Sequence, residues 1–260
     1  MRPSRLFFLI LLASPLASGQ MLTGAARTHL IEQARARYYS PVDQGLQSFA
    51  CNVNLGWQTI PESQMLPAQA AGLDQLEATT LRLSVDSDGT PHLDRSYPAG
   101  TSATARAAYD PLFDWASRIV SGFVMIWSGK GLNTPIPPAS SPSTVQKMPA
   151  GYSIAYPAAG GTVQLSLNPD FTVTRIVTRR SADAIVENPT FSLSPQGLVF
   201  SAVQSSGNSG DGRVSFQGSF TYQYADEFLV LHRVHLNLSG TPLDFTLAHC
   251  SVQKAAAAAD

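Results

Sequence analysis

His232 and His235 stand three residues apart and His249 follows in the next apolar run, so metal ligation is the first chemistry to test. Zinc sites need converging His, Cys or carboxylate ligands, and zincins place two histidines on one helix face. Here alternating residues predict a strand over 228–238, and a spacing of three points the two side chains to opposite faces. They cannot chelate together from one strand. His249 could meet one of them across a strand pair, and polar residues on a solvated face account for all three as well. His29 and His92 have no candidate partner nearby in sequence. No metal site and no cofactor are expected.

Nucleophilic and phosphate chemistry find no framework either. The G-x-S-x-G elbow of α/β hydrolases is absent. Gly207-Asn208-Ser209-Gly210-Asp211-Gly212 lacks the Gly-Lys-Ser/Thr of a phosphate loop and sits between two predicted strands, where a hairpin explains it. Ser84, Asp86, Asp88 and Gly89 match part of a calcium loop, but Arg95 stands where a bidentate glutamate is required. A tight turn fits them better. Paired carboxylates for glycoside hydrolysis would have to come from Asp183, Glu187, Asp226 or Glu227 on the β half, where ordinary surface roles are expected. No catalytic residue is assigned.

The cysteines are more informative. Residues 1–19 have the parts of a signal peptide: Arg2 and Arg5, an apolar run from Leu6 to Leu12, and small residues at Ala17 and Gly19. Cleavage is expected before Gln20, giving an exported, periplasmic or extracellular product. The apolar run is short of the roughly 20 residues that cross a bilayer, as is Ile119 to Trp127, so no transmembrane segment is expected in the mature chain. An oxidising compartment permits disulfides, and two cysteines allow one intramolecular bond, Cys51 to Cys250, the alternative being two buried thiols. Closing so long a loop is worth about 5 kcal/mol by chain-entropy arithmetic.

Charged residues are 13% of the chain, hydrophobic ones 44%, and the formal net charge is -1. That balance gives no field for drawing in nucleic acid. A single α+β domain over 20–254 is expected, with a helical half at 20–132, a Pro/Ser-rich loop at 133–150, a β meander at 151–254 and a frayed tail at 255–260.

In the helical half, Leu30, Ile31, Ala34 and Tyr38 predict an amphipathic helix from Thr23 to Tyr39, ended before Pro41. Phe49, Cys51, Val53, Leu55 and Trp57 alternate with smaller or polar residues and predict a strand. A Pro-interrupted loop and short helix are expected over 62–79, and a strand at Leu81, Leu83 and Val85 turns at Asp86 to Gly89. Leu112, Phe113, Ala116, Ile119, Val120, Phe123 and Trp127 form a broad apolar stripe on a helix over 101–127, with a break expected near Asp110-Pro111. After the loop, eight strands are expected near 151–156, 161–167, 171–179, 184–193, 197–204, 213–224, 228–238 and 243–252. In the sixth of them Val214, Phe216, Phe220, Tyr222 and Tyr224 share one face. Many strands and few helices predict a curved antiparallel sheet, an unclosed barrel, covered by two or three helices.

This order resembles the LolA/LppX-type lipoprotein carriers. The segments that carry the resemblance are Leu46-Gln47-Ser48-Phe49 after the first helix, Val163-Gln164-Leu165-Ser166-Leu167-Asn168-Pro169-Asp170, and Tyr222-Gln223-Tyr224-Ala225-Asp226-Glu227-Phe228-Leu229-Val230. Glu227 stands where the family has glycine, and Leu231 where it has proline. The resemblance implies an open barrel whose apolar cavity holds acyl chains, with no chemical activity.

Three functions follow as expectations. The first is an exported, non-enzymatic binding protein that holds a lipid or lipoprotein acyl chain, walled by Trp57, Phe113, Phe123, Trp127, Phe216, Phe220, Tyr222 and Tyr224. The second is a secreted structural or interaction module whose aromatics fill a core. The third is an extracytoplasmic hydrolase with acid and base groups converging in a cleft.

Overall fold

The computed structural model describes residues 19–59, 73–180, 183–209 and 212–255. The expected signal segment up to Ser18, the loop before Leu73 and the tail after Ala255 lie outside the described residues.

Among the described residues thirteen strands form one antiparallel sheet. They are β1 (Gln20–Leu22), β2 (Leu46–Leu55), β3 (Thr80–Asp86), β4 (Pro91–Ser96), β5 (Thr144–Met148), β6 (Gly151–Ala158), β7 (Gly161–Leu167), β8 (Val173–Arg180), β9 (Asp183–Ser194), β10 (Gly197–Ser209), β11 (Gly212–Ala225), β12 (Phe228–Leu238) and β13 (Thr241–Lys254). From β5 to β13 each strand pairs with the next. The chain's early strands then extend both ends, giving the order β1-β5-β6-β7-β8-β9-β10-β11-β12-β13-β2-β3-β4. The sheet is curved and does not close; its edges are β1 and β4. The second edge carries Pro91, Asp94 and Arg95, residue types that discourage a further strand from pairing.

Helices α1 (Gly24–Arg35), α2 (Leu73–Ala78) and α3 (Ala103–Gly131) complete the α+β fold. α1 buries Leu30, Ile31 and Ala34 against Val145, Ile154 and Leu165 of β5 to β7. α3 buries Phe113, Ala116, Val120, Phe123, Val124 and Trp127 against the strands from β2 and β3 round to β10. Each helix covers its own half of the inner face, and Phe191 packs on both clusters.

Three local expectations are revised. α1 stops at Arg35, not Tyr39, because the next residues join the sheet: Tyr39 N–H donates to Leu198 O at 3.0 Å and Leu198 N–H to Arg37 O at 2.8 Å. Gly197 makes this possible, since its φ is 128° and a Cβ there would sit 2.9 Å from Arg37 O. α3 runs unbroken through Pro111. An interior proline costs about 3 kcal/mol, and burial of the apolar stripe on both sides of it outweighs that cost. The Pro/Ser-rich stretch is no free connection. It contains β5, and the Arg27 guanidinium of α1 donates to the carbonyls of Ala139, Ser141 and Ser143.

The disulfide Cys51–Cys250 is formed and spans a separation of 199 residues. It links neighbouring strands, β2 and β13, at a bulge where His249 and Cys250 together face Cys51 between the pairs Ala248/Asn52 and Ser251/Ala50. His249, at φ 50°, is the residue that absorbs the kink.

Buried phenols tie the loops to the sheet. Tyr38 donates to Phe171 O and accepts from Val173 N–H; Tyr39 accepts from Leu229 N–H. Burial raises Tyr38, Tyr39, Tyr156 and Tyr222 above the ordinary tyrosine range, and burial with the bond to Asp110 pushes Tyr97 up to about 12.

Two outcomes are expected. Replacing both cysteines with serine removes about 2–5 kcal/mol of unfolding free energy; urea denaturation checks this, with an m-value expected to rise because the unlinked denatured chain exposes more surface, and a loss under about 1 kcal/mol would mean that the sheet holds β2 against β13 unaided. Alkali acts through the tyrosines. Unfolded phenols ionise near pH 10 while the folded ones keep their protons, so stability complete below about pH 10 is lost as pH rises through 12 and beyond. Urea midpoints flat across that window would contradict it.

Candidate functional site

The sequence-predicted aromatics converge on the inner face, but most of them fill it. Trp57 meets Phe113 edge-on at 5.1 Å, and Phe113 meets Tyr97 at 5.7 Å. Trp127 packs on Phe49 at 6.0 Å. Phe220 touches Phe200 at 4.8 Å and Phe123 at 5.5 Å. The Tyr222 hydroxyl accepts from Trp127 Nε1 at 2.9 Å and donates to Phe200 O, so this aromatic layer is cross-linked by hydrogen bonds as well as packed. Tyr224 is placed elsewhere: a register shift follows Thr221, and Tyr224 lies 58% exposed with its hydroxyl bonded to Gln196 Nε2.

Space opens beside that layer. A groove of about 570 Å³ lies between α3 and the inner faces of β8 to β12. On the helix it is lined by the ridge Arg118, Gly122, Ile126 and Lys130, four residues apart and therefore stacked on one face, with Ile119 and Phe123 alongside. The ridge is about 18 Å long at 1.5 Å per residue. On the sheet the liners fall in two registered rows. One joins Glu187, Ser205, Phe216 and Leu238; the other joins Thr178, Ile185 and Gly207.

The groove exists because side chains there are small. Ser205 occupies an inward position of β10 where Phe200 and Val203, nearer the strand's start, are buried and bulky, and Gly207 beyond it carries no side chain because an added Cβ would meet Ala184 O of β9 at 2.7 Å. Across from them Gly122 interrupts the apolar stripe, and nothing lies within 4 Å of a Cβ added to it. Of the eight expected wall residues, Phe123 and Phe216 line this groove. The sequence reading missed Gly122, Ser205 and Gly207; a glycine in an otherwise apolar i+4 ridge was the available signal.

One ion pair sits at the groove. Lys130 Nζ lies 3.1 Å from Glu187 Oε1, with side chains 11% and 13% exposed, and 5.7 Å from the Phe200 ring centroid. Glu187 thus neutralises a lysine and is not half of a carboxylate pair. Lys130 also donates to Ile126 O, anchoring the last turn of the helix.

On the outer face, Ser219, His235 and Asp244 are direct neighbours on β11, β12 and β13, and His235 Nδ1 bonds Asp244. The composition is that of a charge-relay triad. The geometry is not: Ser219 makes no hydrogen bond to His235, the imidazole is 59% exposed, and backbone N–H groups in a flat interior ladder are committed to neighbouring strands, leaving no oxyanion donors. His232 sits at the bulge of β12 and faces Leu247 O, away from His235. Among the described residues no three His, Cys, Asp or Glu side chains converge on a metal position, and no helix is long and apolar enough to cross a membrane.

No protein-family model, curated protein or solved structure matches this chain. The class is therefore defined by architecture: an unclosed antiparallel sheet carrying helices on its inner face, with an apolar groove under the longest helix.

The ion pair gives a prediction of its own. Glu187→Leu leaves a largely desolvated ammonium unpaired and is expected to cost about 3 kcal/mol, most of which the double variant Lys130→Met/Glu187→Leu restores. Chemical denaturation of the three proteins tests this; equal losses in single and double variants would show that the pair contributes by packing alone.

Proposed function

We propose that this chain is an exported, non-catalytic carrier whose groove holds the acyl chain of a lipid or lipoprotein. The observation that carries the reading is the void itself. Apolar walls from Ile119, Phe123, Ile126, Phe216, Leu236 and Leu238 enclose space that the aromatic layer beside them does not fill. Packed interiors leave few voids larger than a water molecule, whereas small-ligand pockets run to about 300–1,000 Å³. A groove of about 570 Å³ falls in that range, and its place between helix and sheet sets it apart from clefts of similar volume elsewhere on the sheet.

Ile126 and Ile185 line the groove yet are each 41% exposed, and Met125 beside them is 62% exposed. An apolar lip of this kind suits entry of a hydrocarbon chain from an apolar environment. The Cys51–Cys250 bond fits an oxidising compartment, as export of the chain requires. The open-barrel architecture supports the resemblance to the lipoprotein carriers, in which the same space between sheet and helices takes acyl chains.

Gly122→Leu tests the reading. Leucine is the better helix former by about 0.5–1 kcal/mol, so thermal stability is expected to rise while its side chain occupies the groove. Native mass spectrometry of the wild-type protein, purified from cells that export it, is expected to show an acyl-chain adduct that the variant lacks. Wild-type protein without an adduct that also ignores a fluorescent acyl probe would establish the filled module instead.

A further inference from the structure

Resting on that reading, we propose that the groove selects a long-chain fatty acid anion, its carboxylate held at the mouth by Arg118 and Arg180. The inference comes from charge accounting within the lining. Four ionisable side chains contribute to it: Arg118, Lys130, Arg180 and Glu187. Lys130 and Glu187 cancel one another at 3.1 Å. Arg118 and Arg180 remain; among the described residues neither lies within ion-pair distance of a carboxylate, although Asp183 is the ladder neighbour of Arg180. Elsewhere Arg35 is paired with Asp43, and Arg95 with Asp110 and Asp114. What sets Arg118 and Arg180 apart from the chain's other unpaired arginines is that both line the apolar groove.

Both are exposed, so each remains hydrated and neither destabilises the empty protein. A carboxylate at the mouth would gain charge-assisted, bidentate hydrogen bonds from a guanidinium. Its chain would lie along the ridge of α3, over Gly122, Phe123 and Ile126. A neutral alcohol of equal length would make the same apolar contacts but offer the guanidinium groups a single uncharged acceptor in place of a bidentate carboxylate. The chain therefore sets affinity and the headgroup sets selectivity.

The test compares palmitate with hexadecanol, which share a chain length and differ in charge, by calorimetric titration of the mature disulfide-bonded protein. Palmitate is expected to bind about tenfold more tightly, the value of one charge-assisted hydrogen bond, and this margin should shrink with added salt. In the Arg118→Gln/Arg180→Gln variant, palmitate affinity should fall further than hexadecanol affinity, so that the margin is lost. Since both arginines are exposed and neither makes an ion pair among the described residues, this variant is expected to fold with stability close to wild type. Equal binding of acid and alcohol to the wild type, or a margin that survives in the variant, would overturn the assignment of the arginines while leaving the groove as a hydrocarbon site. Failure of both ligands to bind would overturn the groove reading, and this inference with it.

Discussion

The pairing of β13 with β2 is the constraint on which the rest of the molecule rests. Without it the nine-strand run from β5 to β13 and the short run from β2 to β4 would be separate sheets, each with its own exposed edge. Their junction is the longest-range contact in the fold, and forming it carries the largest loop-closure entropy. The disulfide removes that entropy from the unfolded chain and sits at the bulge, where one residue of β13 falls out of the ladder. α3 depends on the junction in turn. Phe123 packs on Phe245 of β13, and Trp127 packs on Phe49 of β2 and Tyr222 of β11, so the helix lies across the seam and has a continuous floor only when the seam is made.

Given that floor, the helix divides the inner face into a filled side and an open side. Its Phe113, Val120, Phe123 and Trp127 meet large residues of the sheet. Its next ridge, through Gly122 and Ile126, meets Ser205 and Gly207. Both sides belong to the same two elements, so the void is a consequence of side-chain volume and not of loose docking. A helix anchored through Trp127 at one margin cannot settle toward the sheet at the other without displacing the aromatic layer, and the groove stays open for that reason.

Much of the architecture was legible from period and turn chemistry. The strands after Gly151 fall where alternation and turn formers put them, and Phe49, Cys51, Val53 and Leu55 all face inward as their spacing of two requires. Three features were hidden, each for a physical reason. β1 and β4 are three and six residues long, and β4 shows no apolar alternation, because edge strands bury little. β5 lay inside a Pro/Ser-rich stretch whose composition argues against packing until Arg27, more than a hundred residues earlier, is seen to bind it. The bulges at His232 and His249 arise from pairing with distant strands, which no local window contains. The groove was less legible than the sheet for the same reason: Gly122 and Ser205 come to line one space only when α3 lies over β10 in the folded protein.

The placement of the aromatics also limits what the groove can accept. Extending the space toward Trp127 would require breaking the bonds from Trp127 Nε1 to Tyr222 and from Tyr222 to Phe200 O, and each buried partner left unmatched would cost about 1–3 kcal/mol. A hydrocarbon chain offers nothing to replace them. The space instead follows the ridge of α3, from the Lys130–Glu187 pair toward Arg118. The hydrogen bonds of Trp127 and Tyr222 thus fix the boundary between the filled side of the inner face and the open one.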